Sequence, residues 1–136
     1  MDNIRKEMAM PRTLLVVDDA LIIRHMIKET VEPAGWTVVG EAANGQMAVQ
    51  QYEVLRPQAV TLDLVMPEYD GLYALRGILA IDPSAKVLVV SALDQRSVLR
   101  ESFKLGAFDF LVKPFDKTLL LKSLDNMVPA EEKVSV

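Results

Sequence analysis

The sequence has no cysteine and only one histidine, His25, among its 136 residues. Disulfides, thiolate metal sites and cysteine nucleophiles are thereby excluded, and neither a Ser-His-Asp triad nor a polyhistidine metal site is expected. Apolar runs are short: Leu14–Val17 and Val87–Val90 fall far below the ~18 residues a membrane-spanning helix needs. The charged start, apolar centre and small-residue cleavage site of a secretory signal are missing. No Gly-x-x-x-x-Gly-Lys-Ser/Thr loop occurs, and acids rather than glycines follow the first apolar run, which excludes an ATP P-loop and a dinucleotide fingerprint. A net charge of −4 and a pI near 5.0 argue against a surface that tracks nucleic acid or a membrane. What remains is one reduced, cytoplasmic domain, with a core spanning residues 11–128 and polar tails at 1–10 and 129–136.

Within that core, short aliphatic runs alternate with longer amphipathic stretches. Strands are expected at Thr13–Val17, Trp36–Glu41, Ala59–Asp63, Lys86–Ser91 and Phe108–Val112. Between them, helices are expected over Ala20–Glu32, Gly45–Leu55, Leu72–Ile81 and Gln95–Leu105, with a last one from Asp116 to Met127. Asn44 and Asp116 are suited to cap the second and fifth helices, and Gly106 to end the fourth. Strands that alternate with helices and read as continuous apolar runs predict an α/β fold: a five-stranded, doubly wound parallel sheet with helices on both faces. In such a sheet, ligands gather beyond the carboxyl ends of the strands.

At those ends stand Asp18-Asp19, Asp63, Ser91 and Lys113. Carboxylates about 4 Å apart repel by roughly 4 kcal/mol at an effective dielectric of 20, so such a cluster calls for a cation. An all-oxygen donor set without His or Cys suits Mg²⁺. The competing structural reading is that Asp19 merely caps the first helix and Asp63 merely ends its strand. His25, flanked by Arg24 and Lys28, is read as solvated, and Arg96, Arg100 and Lys104 form a basic stripe on the fourth helix.

Taken as a set, Asp18-Asp19, Asp63-x-x-Met66-Pro67-x-x-Asp70-Gly71, Ser91-Ala92 and Lys113-Pro114-Phe115 resemble the receiver domain of bacterial two-component response regulators. The stretches Val39–Gly45 and Gly106–Phe110 are most similar to the stand-alone chemotaxis regulators. The resemblance implies a flavodoxin-like strand order 2-1-3-4-5 and an Asp63 that takes a phosphoryl group from a sensor histidine kinase. It implies that Asp19 and Asp63 bind Mg²⁺ directly, Asp18 mainly through water, with the Val65 carbonyl as a further ligand. Lys113 would hold a phosphoryl oxygen, its bond to Pro114 being a candidate cis peptide. Ser91 and Phe110 would form the switch pair, while Val65 and Leu93 would flank attacking water and tune dephosphorylation.

The expected protein is a monomeric switch whose surface of fourth helix, fifth strand and fifth helix changes its affinity for a partner, possible partners including the flagellar motor switch. Few residues follow Met127, so no DNA-binding or enzymatic output module is expected there. A phosphate shuttle or sink remains an alternative. An aspartate-nucleophile phosphatase is a weaker one, since those enzymes carry Asp-x-Asp after the first strand rather than adjacent acids. A phosphate-independent adaptor sits poorly with an intact acidic site.

Overall fold

The computed structural model describes residues 11–92, 94 and 96–130; the expected tail at 1–10, residues 131–136 of the other tail, and Leu93 lie outside them. The strands are β1 (Arg12–Val17), β2 (Trp36–Ala42), β3 (Ala59–Leu62), β4 (Val87–Ala92) and β5 (Asp109–Lys113). The helices are α1 (Leu21–Val31), α2 (Gly45–Leu55), α3 (Gly71–Ile81), α4 (Arg96–Leu105) and α5 (Lys117–Met127). All strand pairs are parallel, in the order β2-β1-β3-β4-β5. The doubly wound sheet expected from the sequence is therefore present, and most element ends move by a residue at most.

Because the sheet is covered on both sides, alternate residues of each strand enter different cores. Leu15, Val17, Val60, Leu62, Val87 and Val89 pack with Tyr52, Leu75 and Ile78 of α2 and α3. On the other face, Leu14, Val16, Leu88 and Val90 meet Ile27 and Val31 of α1 and Leu120 and Leu124 of α5. Neither face can be polar, which is why the strands read as unbroken apolar runs. Trp36 joins the second core, 2% exposed, with the Arg12 guanidinium 4.6 Å from its ring centre. Arg12 also reaches Asp125 at 2.6 Å, Val128 O at 3.2 Å and Ala34 O at 3.2 Å, tying the start of β1 to the end of α5.

Local chemistry explains where the helices begin and end. Asn44 accepts the Met47 amide at 2.9 Å, and Asp116 accepts those of Thr118 and Leu119 at 2.7 and 3.3 Å, as expected of caps. Asp70 caps α3 in the same way through Tyr73 at 2.9 Å. Gly106, at φ 121°, ends α4, and a short 3₁₀ turn at Glu32–Ala34 closes on Gly35 at φ 98°. Helix α2 ends on Arg56, a non-glycine residue at φ 45°. One irregularity marks the sheet: Leu14 pairs with Val38 but Leu15 with Gly40, so Val39 is an extra residue in edge strand β2.

Candidate functional site

Strand pairing brings the acids together. The Asp18 amide donates to Ala42 O and the Asp63 amide to Val17 O, each at 3.0 Å, so the chain leaves β1 and β3 side by side. Asp18, Asp19 and Asp63 consequently present carboxylate oxygens that all lie within 4.8 Å of one another. Asp18 and Asp63 are buried, and Asp19 is exposed. Lys113, from the end of β5, spans the gap: its Nζ lies 2.7 Å from Asp18 Oδ2 and 3.4 Å from Asp63 Oδ2. The Lys113–Pro114 bond is cis.

Both oxygens of the Asp18 carboxylate are engaged. Its Oδ1 accepts the Ala20 amide at 2.9 Å while Oδ2 takes the lysine. Asp63 Oδ1 accepts the Val65 amide at 3.2 Å. Asp19 does not cap α1: the N-cap position is Ala20, and the carboxylate that reaches this turn is that of Asp18. The structural reading of Asp19 therefore fails, and its carboxylate makes no hydrogen bond or ion pair among the described residues.

Burial pushes the Asp63 carboxyl above the usual range; the Lys113 ammonium pulls it back, and the Asp18 charge and the Val65 amide act in opposite senses on it. Burial alone would lower the Lys113 pKa, but its hydrogen bond to Asp18 and the charges of Asp63 and Asp18 outweigh that and raise it. The lysine therefore stays charged, and one cation faces three acids. The donor set is all oxygen and carries more negative charge than Lys113 balances, so the residues present fit a hard divalent cation.

Ser91 lies on β4, 4% exposed, with its Oγ buried and unpartnered. It lines a cavity of about 160 Å³ together with Ala92, Arg96, Leu99, Phe110 and Val112 among others. Phe110 does not fill it. Its ring is 40% exposed and packs edge-on against Phe103 of α4, with centroids 5.6 Å apart. Val65, two residues past Asp63 and bonded to it through its amide, is 51% exposed.

Comparison with known proteins now bears on this geometry. The family model described as the response regulator receiver domain matches residues 14–125. The chain belongs to that family. This receiver is 43% identical over 118 residues to a chemotaxis protein CheY of Thermotoga maritima, covering 87% of this chain and 98% of the relative. It is 49% identical over 112 residues to a CheY of Listeria monocytogenes, covering 82% of this chain and 94% of the relative. Among solved structures, the receiver is similar to a chain of the CheX-CheY-BeF3-Mg²⁺ complex of Borrelia burgdorferi, with TM-score 0.81, 30% identity and coverage of 86% and 89%. As a receiver it is a phosphorylation-driven signalling switch of the chemotaxis-like kind, not an enzyme that turns over a separate substrate. No helix among the described residues is long and apolar enough to cross a membrane.

Sequence reasoning missed one pair at the site. Arg24 entered it only as a charged neighbour of His25, whose solvated reading holds: the His25 side chain is 61% exposed and lies 3.0 Å from Glu29. The Arg24 side chain is only 15% exposed, with Nη1 2.7 Å from Asp18 O and Nε 3.1 Å from Glu41 Oε1. A signal was available, since Arg24 shares the inward stripe of α1 with buried Ile27 and Val31, three and seven residues on.

Proposed function

We propose that Asp63 is the phosphoryl acceptor, and that it draws its phosphoryl group from a sensor histidine kinase. The observation that carries this is the placement of Asp63: buried 5% exposed, beside two further acids and within 3.4 Å of a lysine held in the charged state. A carboxylate can attack phosphorus in line, and phosphoryl transfer requires positioning and charge neutralisation more than covalent chemistry. Asp63 Oδ supplies the attacking electron pair, the phosphorus–nitrogen bond to the kinase's phosphohistidine breaks, the imidazole leaves with that electron pair and takes up a proton, and an aspartyl phosphate results. Lys113, released from part of its pairing with Asp63, holds a phosphoryl oxygen.

Asp19, Asp63 and the Val65 carbonyl would hold Mg²⁺ directly, with Asp18 contributing through water. Bound there, the ion would offset the charge of the acids and of the incoming phosphoryl group. The Mg²⁺ and BeF3 named in the Borrelia complex support this assignment. Ser91 and Phe110 serve as the switch: the unpartnered Ser91 hydroxyl turns to the phosphoryl oxygen, and Phe110 moves into the cavity beside it. The surface of α4, β5 and α5 thereby changes shape for a protein partner. CheX is the partner in the Borrelia complex; for this chain, which we read as a cytoplasmic monomer, the resemblance to chemotaxis regulators makes the flagellar motor switch the candidate target. Incubation with Mg²⁺ and a small acyl phosphate should add one phosphoryl mass, lost in Asp63→Asn and on chelation. Persistence of the added mass in Asp63→Asn would refute the assignment.

A further inference from the structure

The Asp18–Asp19 peptide unit carries the exposed acid of the cluster, yet strand pairing fixes only one side of it. The Asp18 amide is tied to Ala42 O, and the Asp18 carboxylate to the Ala20 amide and Lys113. The Asp18 carbonyl, which shares a rigid plane with the Asp19 amide, lies beyond the end of β1. Its partner is the Arg24 guanidinium at 2.7 Å. That guanidinium is itself oriented by Glu41 at 3.1 Å, and the Glu41 carbonyl accepts Gln51 Nε2 at 2.6 Å. The chain of contacts thus runs from α2 through β2 and α1 to one carbonyl at the site.

We propose that Arg24 is a positioning residue that sets the cation affinity of the acidic cluster by holding the Asp18–Asp19 peptide plane. Its side chain bonds the Asp18 carbonyl and Glu41 and none of the carboxylates of the cluster. Without the grip, the plane can rotate, and rotation carries the Asp19 carboxylate away from Asp18 and Asp63. The fork of the guanidinium suits this task, since one arm binds the carbonyl while another is locked by Glu41. The proposal rests on the reading of the cluster as a Mg²⁺ site.

The sign of the effect separates this role from a plain electrostatic one. A positive charge beside a cation site repels the cation, so Arg24 acting only as a charge would be replaced by Met with a gain in Mg²⁺ affinity. A holding role predicts a loss. Groups that orient metal ligands typically change affinity by about 10–100-fold when removed. Mg²⁺ titration calorimetry at fixed ionic strength should therefore show Arg24→Met weakened by about 10-fold or more. Arg24→Lys, which keeps the charge and one donor but not the fork, should fall between Arg24→Met and the unsubstituted protein. Melting in chelator would show both variants folded at the titration temperature. Should Arg24→Met fail to fold, Arg24→Lys decides alone, because a charge-only role predicts no change there. Unchanged or tighter Mg²⁺ binding in the folded variant overturns the proposal. An unsubstituted protein that binds no Mg²⁺ overturns the metal reading itself, and the holding role with it.

Discussion

Gly71 opens α3 without needing a left-handed backbone, since its φ is not positive, so its small size must serve another purpose. A Cβ built there would collide with the Asp63 carbonyl oxygen and come within 2.5 Å of Leu64 Cα. The Gly71 amide also donates to Leu64 O at 3.1 Å. The helix start is pressed against the backbone at Asp63 and Leu64, and backbone obstacles cannot step aside as a side chain can. Overpacking of this kind costs about 1–3 kcal/mol, and a first-turn position gains little helix propensity in return. For a domain of this size that is a fall in Tm of roughly 4–12 °C.

The relief available to Gly71→Ala is to displace the Asp63–Leu64 backbone, which should slow labelling by acyl phosphate about 10-fold or more, given the sensitivity of attack geometry to ångström shifts. Gly77→Ala is the control. Its new Cβ would meet the Val49 methyl Cγ2 at 2.5 Å, a side chain, and a mid-helix alanine gains up to about 1 kcal/mol. It should lose less stability and label at the normal rate. A Gly71→Ala protein that melts and labels as the unsubstituted one does would refute the close-approach reasoning.

Trp36 pairs with Arg12, and six residues of β1 at ~3.3 Å each put about 20 Å between that end of the sheet and Asp18. Mg²⁺ titration should leave its emission nearly unchanged, and saturable quenching that follows the metal dependence of labelling would contradict the placement. Burial, aided by a 3.1 Å hydrogen bond to Asp82, pushes the Tyr52 phenol up to about 12. The folded state thus favours the neutral phenol; that stabilisation is complete below pH ~10 and is lost as pH rises through about 12. Tyr52→Phe should remove the latest step of the tyrosinate absorbance titration, and an unaltered curve would count against it. The apolar side chain of exposed Val65, two residues past Asp63, cannot orient water, so Val65→Asn should shorten the lifetime of the phosphoryl group, measured by decay of the intact-mass shift; an unchanged lifetime would refute the water-positioning role.

The acidic cluster was legible because its members are strand-end residues, and a parallel sheet delivers all strand ends to one edge. Asn44 and Asp116 were legible as caps because capping is a contact between neighbours in sequence. For Arg24 only the inward position was legible, from the α1 stripe; its partners, the Asp18 carbonyl and the Glu41 carboxylate, come from other parts of the chain and were not. Nor could sequence say that Phe110 rests outside against Phe103, because both the cavity and the exposed position accept an aromatic ring. The extra residue at Val39 was likewise hidden, being a matter of pairing register and not of composition.

That extra residue bears on how the molecule avoids its own kind. An open sheet has two rims, each a template on which a foreign strand can grow into an aggregate. On the β2 rim, the bulge at Val39 breaks the regular spacing of main-chain groups that an incoming strand would have to match. On the β5 rim, the Phe110 amide is already engaged by the Asp109 carboxylate at 2.8 Å, and Lys113 ends the strand with a charge. Both margins of the sheet are thus blunted within their own strands against main-chain pairing, so that a partner meeting this receiver, at β5 included, meets side chains and not a strand template.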